Sequence, residues 1–183
     1  MNFGNFEPLQ KPASYVSADA IIFRRDDNKL LVSERRGEPW NGCITLAFGG
    51  YVDPSDSNPL FTVQREVFEE TGVNLSRIYL VGIYGPARYH HTLHRLGDGS
   101  LSARKELNIK AHKRPVVAFV FAGQADNEPL KDTEEQKGLC WVDPLDLVGQ
   151  RLAFDHAHAL ADFLSSKKFG STLAGVRPDL FIK

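Results

Sequence analysis

The segment Arg65-Glu66-Val67-Phe68-Glu69-Glu70-Thr71-Gly72-Val73 spaces three carboxylates at i, i+3 and i+4. On a helix these positions are neighbours, and at about 100° per residue they share an arc of roughly 100°. Leu60, Val63 and Val67 fall beside that arc, and Phe61 and Phe68 lie nearer the back. The pattern works against helix stability. Like charges at i,i+4 cost about 0.2–0.5 kcal/mol, and carboxylates near the negative C-terminal end roughly 0.3–1 kcal/mol each. A chain shaped for folding alone would favour Lys or Arg there. Most acidic runs on helices are solvated faces. The chemistry that would instead relieve the crowding is capture of a divalent cation with oxygen ligands, Mg²⁺ or Mn²⁺.

The surrounding sequence supplies a frame for such a site. Leu46 to Pro54 is a short apolar run containing the pair Gly49-Gly50. Ser57 or Asn58 can cap the following helix, Pro59 suits its first turn, and Gly72 is the residue expected just past its end. The stretch reads as strand, glycine turn, loop and capped helix.

Gly50, Asp56 and Arg65 to Val73 resemble the Nudix box, G-x5-E-x7-R-E-U-x-E-E-x-G-U, where U is aliphatic. The segment from Arg65 to Val73 matches completely. Asp56 stands where the family usually has Glu, and eight residues rather than seven separate it from Arg65. The turn reads Ala47-Phe48-Gly49-Gly50 where the family commonly has L-P-G-G. Asp56 is expected to pair with Arg65 all the same. A second likeness, Leu152-Ala153-Phe154-Asp155-His156, is similar to a motif of the branch that holds ADP-ribose pyrophosphatases and related nicotinamide-metabolism repressors. Taken together the likeness runs from about residue 18 to 165. Within that motif, Asp155 is read as a helix cap and His156 as a packed residue.

The resemblance implies an α/β fold, a Nudix-type α/β/α sandwich around a mixed sheet. It also implies Mg²⁺-dependent (or Mn²⁺-dependent) hydrolysis of the pyrophosphate bond in a nucleoside diphosphate linked to another moiety, with ADP-ribose or a related nucleotide among the candidates. Glu66 and Glu70 become direct metal ligands, Glu69 the ligand of a further ion, and the Gly49 carbonyl joins them. Arg65 orients the acids. A further acid comes from the loop before Trp141, where Glu135 and Glu134 are the candidates. Arg35 and Arg88 are candidates for phosphate contacts, and Tyr84 or Trp40 for stacking on a base or ribose. The alternative is a non-catalytic Nudix-like domain that senses ADP-ribose or another nucleotide. Many members of the branch carry R-D-P-R before the apolar strand, whereas here Arg88 is followed by Tyr89-His90-His91, so substrate preference does not transfer.

Composition bounds the rest. At 183 residues one domain is expected: an arm over 1–15, the Nudix domain over 16–169 and a tail over 170–183. The net charge of −1 argues against a general nucleic-acid or acidic-membrane surface. Cys43 and Cys140 lack metal-ligand spacing and read as packed free thiols of a reducing compartment. No signal peptide or apolar span is visible, so a cytoplasmic location is expected, with a small-molecule partner and a homodimer as the family's habit.

Strands are expected at 18–23, 29–33, 45–52, 78–84, 115–121 and 139–142, and helices at 58–71 and 153–168. Residues 86–113 read as a long polar connection bearing Arg88, Tyr89, His90, His91, His94, Arg95, Arg104 and Lys105. Such a loop is either a substrate lid or a mobile surface insertion.

Overall fold

β1 (Tyr15–Arg24) alternates, and its two faces define the layers. Ala18, Ala20 and Ile22 pack with Val63 and Val67 on one side, whereas Ile21 and Phe23 join Leu160 and Phe163 on the other. A strand that buries apolar side chains on both faces must lie between two layers of helix. The computed structural model describes residues 15–37, 40–85, 116–134 and 136–166, and 89–95 and 101–108 by their backbone alone. The expected arm over 1–14 and the tail from 167 lie outside the described residues.

β2 (Leu30–Arg35) and β4 (Ala47–Tyr51) run antiparallel to β1, while β8 (Val116–Ala125) runs parallel to it from Tyr15↔Val116 to Arg24↔Ala125. β5 (Ser76–Tyr84) borders β8, and β9 (Gln136–Val142) borders β2. From β2 the sheet continues through β3 (Ile44–Thr45) and β10 (Arg151–Leu152). The sheet is therefore mixed. Helix α1 (Pro59–Thr71) covers one face and α2 (His156–Ser165) the other, which is the α/β/α sandwich expected. Burial of Val63 and Val67, both 0 % exposed, seats α1 and contributes about 1.5–3 kcal/mol per side chain.

The caps of α1 follow the sequence. The Asn58 side chain accepts the Phe61 N–H at 3.0 Å, Pro59 opens the helix, and Gly72 closes it in the left-handed region at φ 77°.

Four readings need correction. The single strand expected over 45–52 is broken at Leu46, whose N–H is donated to His156 Nδ1 at 3.2 Å, so that β3 and β4 separate. Residues 86–113 are not a structureless connection: β6 (Tyr89–Arg95) and β7 (Leu101–Asn108) form an antiparallel hairpin, and β10 pairs with β6. Their polar composition hid the extended backbone. α2 begins at His156 rather than at 153, after a turn in which Phe154 takes φ 50°, and Asp155 at its N-cap makes no side-chain capping bond. Cys43 is buried, but Cys140 is exposed, because the alternation of β9 turns Leu139 and Trp141 onto the α1-side core and Cys140 away from it. Both are free thiols.

Candidate functional site

The acids of α1 meet the backbone of β4 at the glycine pair. Glu70 Oε2 accepts the Gly49 N–H at 3.0 Å. At Gly50 an added Cβ would stand 2.7 Å from the Glu66 carboxylate carbon, so a larger residue would displace that carboxylate from its place against the strand. Gly49 is at φ 155°, and a Cβ there would come within 2.1 Å of the Ala18 carbonyl oxygen. The two glycines thus let a helix carrying carboxylates close on a strand.

Arg65 organises the same acids. Its guanidinium donates to Asp56 Oδ2 at 3.0 Å and Oδ1 at 3.4 Å, to Glu66 Oε1 at 2.8 Å and to Glu69 Oε2 at 3.2 Å. The bond from Arg65, aided by the Thr62 hydroxyl at 2.7 Å, holds the Asp56 carboxyl down to about 2. The expected Asp56–Arg65 pair therefore forms despite the shorter side chain and the longer spacing.

A second arrangement lies at the start of α2. The Phe154 ring carries the Arg35 guanidinium at 4.9 Å and packs against Trp40 at 5.3 Å and His156 at 5.4 Å between centroids. Arg35 Nε is buried and has no hydrogen-bond partner among the described residues. Burial, reinforced by the positive Arg35, pushes the His156 imidazole down to about 3, which keeps the ring neutral and able to accept the Leu46 N–H.

A model of the NUDIX domain matches residues 14–163. The chain belongs to the Nudix family. It is 28% identical over 152 residues to an ADP-ribose pyrophosphatase of Methanocaldococcus jannaschii, covering 83% of this chain and 74% of that one. It is also 28% identical over 158 residues to a MutT-like protein of Streptomyces ambofaciens, covering 86% and 82%. Among solved structures, the NUDIX domain of Shewanella oneidensis NrtR complexed with ADP ribose superposes with a TM-score of 0.61 at 20% identity, covering 87% and 92%. A MutT NUDIX hydrolase from Burkholderia pseudomallei gives 0.60 at 24% identity, covering 82% and 98%. These two show a shared fold. By family this chain is a Nudix hydrolase.

Within the Nudix box, Glu66, Glu70 and Gly49 are brought together, and Glu69, on the more exposed side, is tied in through Arg65. Among the described residues no three acidic, histidine or cysteine side chains already form a cation cage. The donor set still suits Mg²⁺, which takes one or two carboxylates and keeps several waters. Arg65 engages only one oxygen each of Glu66 and Glu69, and the glycine cradle holds two carboxylates against a strand.

The other predicted residues are more scattered. Arg35 lies in the Phe154 arrangement. Trp40 is 3 % exposed and packed with Cys43 and Ala153. The Tyr84 hydroxyl donates to Asp162 Oδ2 at 2.7 Å, and burial followed by that carboxylate raises its pKa. Tyr84 packs into the α2-side core, away from α1. Glu134 is exposed in the loop that leads into β9, while Glu135 and Arg88 lie outside the described residues, as do the side chains of His90, His91, His94, Arg95, Arg104 and Lys105.

Two residues at the acid site were not singled out from the sequence. Asp19 of β1 pairs in register with Gly49 and accepts the Ser17 hydroxyl at 2.9 Å. Its carboxyl is pushed up to about 7, chiefly by burial; Glu66 adds repulsion, and Ser17 and Arg35 pull the other way. The local signal was a lone charge inside an apolar strand. The other is Gln136, whose amide donates to Glu70 Oε1 at 3.1 Å. No local pattern marks it, because its partner is 66 residues away.

Proposed function

We propose that this Nudix hydrolase cleaves the pyrophosphate bond of a nucleoside diphosphate linked to another moiety, with Mg²⁺ or Mn²⁺ as the cofactor and ADP-ribose or a related nucleotide as the substrate class. The observation that carries the reading is the closure of Glu66 and Glu70 onto Gly50 and Gly49, which brings carboxylates of one helix to a strand backbone. A pyrophosphate bears charge that repels a nucleophile, so its hydrolysis needs positioning and charge neutralisation above all. Glu66, Glu70 and the Gly49 carbonyl would hold one cation, and Glu69 would help to hold another. The cations supply charge neutralisation at the phosphate oxygens and a more acidic water.

The chain's own residues do the rest. Arg65 keeps Glu66 and Glu69 at a fixed spacing and transmits the anchor of Asp56. Arg35 offers a phosphate oxygen the buried Nε–H that no described protein group accepts. Glu134 or Glu135, in the loop before β9, is the candidate for taking a proton from the attacking water, with Glu135 ranked first narrowly. Arg88 is a further candidate for phosphate, and Trp40 and Tyr84 for the base or ribose. The relative named ADP-ribose pyrophosphatase supports the substrate class.

The test is a screen of ADP-ribose, NADH, sugar nucleotides, diadenosine polyphosphates and nucleoside triphosphates with Mg²⁺ or Mn²⁺, read as phosphate released from the phosphomonoester products by a coupled phosphatase. Turnover of a diphosphate-linked compound that Glu70→Gln abolishes is expected. Binding without turnover across the whole panel would instead favour a nucleotide sensor.

A further inference from the structure

We propose that Gln136 is a positioning residue for the cation site, a buried amide that fixes the direction of the Glu70 carboxylate. The inference rests on the functional reading above and adds a residue outside the box. Gln136 opens β9, is 2 % exposed and pairs in register with Arg35. Its Nε2 donates to Glu70 Oε1 at 3.1 Å, and its Oε1 accepts the Ser33 hydroxyl at 2.5 Å.

The chemistry of the three groups leaves one orientation. An ionised carboxylate only accepts, so the amide nitrogen must face Glu70. The amide oxygen then faces Ser33, whose hydroxyl turns to donate.

The consequence is that Glu70 is held from two strands. One oxygen takes the Gly49 N–H of β4 at 3.0 Å, and the other takes the amide of β9. Each of these bonds uses one lone pair of an oxygen that carries two. Glu70 lies in the last turn of α1, where repulsion from Glu66 would otherwise swing it outward. Donors that fix a ligand carboxylate raise the affinity of a metal site without touching the ion.

Gln136 also joins this clamp to the loop before it. Its N–H donates to Thr133 Oγ1 at 3.2 Å, and its carbonyl accepts the Thr133 N–H at 3.0 Å. The Asp132 carboxylate in turn accepts the N–H groups of Gly138 and Leu139 at 3.2 and 3.3 Å. The segment that bears Glu134 is therefore anchored at the same residue that orients Glu70.

The experiment is a Mn²⁺ titration by calorimetry of the full chain as wild type, Gln136→Leu, Ser33→Ala and Glu70→Gln, with Tm measured in chelator and in Mn²⁺. Gln136→Leu should weaken Mn²⁺ binding about 10–100-fold, with Ser33→Ala a smaller loss in the same direction. The Mn²⁺-induced rise in Tm should shrink in parallel. A residue that merely fills space would lower Tm equally with and without the ion. Wild-type Mn²⁺ affinity in Gln136→Leu, alongside lost affinity in Glu70→Gln, would overturn the inference and leave the site intact. Should Gln136→Leu not fold, unchanged affinity in Ser33→Ala would overturn it. Undiminished binding in Glu70→Gln, or none in the wild type, would remove the site and the inference together.

Discussion

The acid face of α1 and the Phe154 arrangement are built in opposite ways. In the first, Glu66, Glu69, Glu70 and Arg65 come from a single helix turn and a half, and the Gly49-Gly50 pair that receives them lies a short loop upstream. In the second, Arg35, Trp40, Phe154 and His156 come from two distant parts of the chain and meet only because β10 pairs with β3. The local site carries several negative charges that oppose the helix bearing them. The long-range site carries one cation whose buried Nε lacks a described partner. In the function proposed above, one ligand would join the two, with metal cations held at the acid end and a phosphate at the unanswered donor.

The comparison can be broken most directly at the acids. Glu66→Gln should reduce Mg²⁺-dependent turnover by about 100-fold or more, while the circular dichroism spectrum stays as in the wild type. Retained turnover would detach the α1 face from catalysis. Next in size is Gly49→Ala. Its Cβ would meet the Ala18 carbonyl oxygen at 2.1 Å in a backbone region that favours glycine. A loss of roughly 3 kcal/mol or more is expected in urea unfolding.

At the Phe154 end the effects should be smaller and different in kind. Arg35→Ala should raise KM about 10–100-fold with a lesser change in kcat, as expected when one charge-assisted bond to phosphate is removed. Equal loss in Glu66→Gln and Arg35→Ala, both in kcat, would erase the distinction between the two ends. The smallest effect is a pH dependence of stability. The His156 ring is held at about 3 in the folded chain against 6.5 when unperturbed. Between those values the unfolded chain binds a proton that the folded chain does not, so stability falls as pH drops through that window and the fall ends near its lower limit. From pH 7 to pH 5 the loss should be about 2 kcal/mol, and His156→Gln, which keeps an acceptor for the Leu46 N–H, should lack it.

How much of this was legible in the sequence follows the same divide. The caps at Asn58 and Gly72, the Asp56–Arg65 pair and the acid arc of α1 were all readable, because each depends on residues within one or two helical turns. The hairpin β6–β7 was not. Its strands are largely polar, the alternation of Leu101, Ala103 and Leu107 is broken at Lys105, and the pairing of β6 with β7 and β10 is not visible in either segment alone. Cys140 was misjudged because an apolar neighbourhood in sequence does not say which side of β9 faces the core.

The sequence by itself determined that carboxylates would crowd one end of a capped helix behind a glycine turn, since spacing and backbone freedom are local properties. Only the tertiary structure decided what those carboxylates touch. Asp19 reaches the site through strand register, and Gln136 reaches Glu70 across a sheet and a helix end. His156 reaches Leu46 from the start of α2. The physical reason is that a hydrogen bond needs its partners within about 3 Å, and for residues far apart in the chain only strand pairing and the packing of α1 and α2 against the sheet supply that proximity.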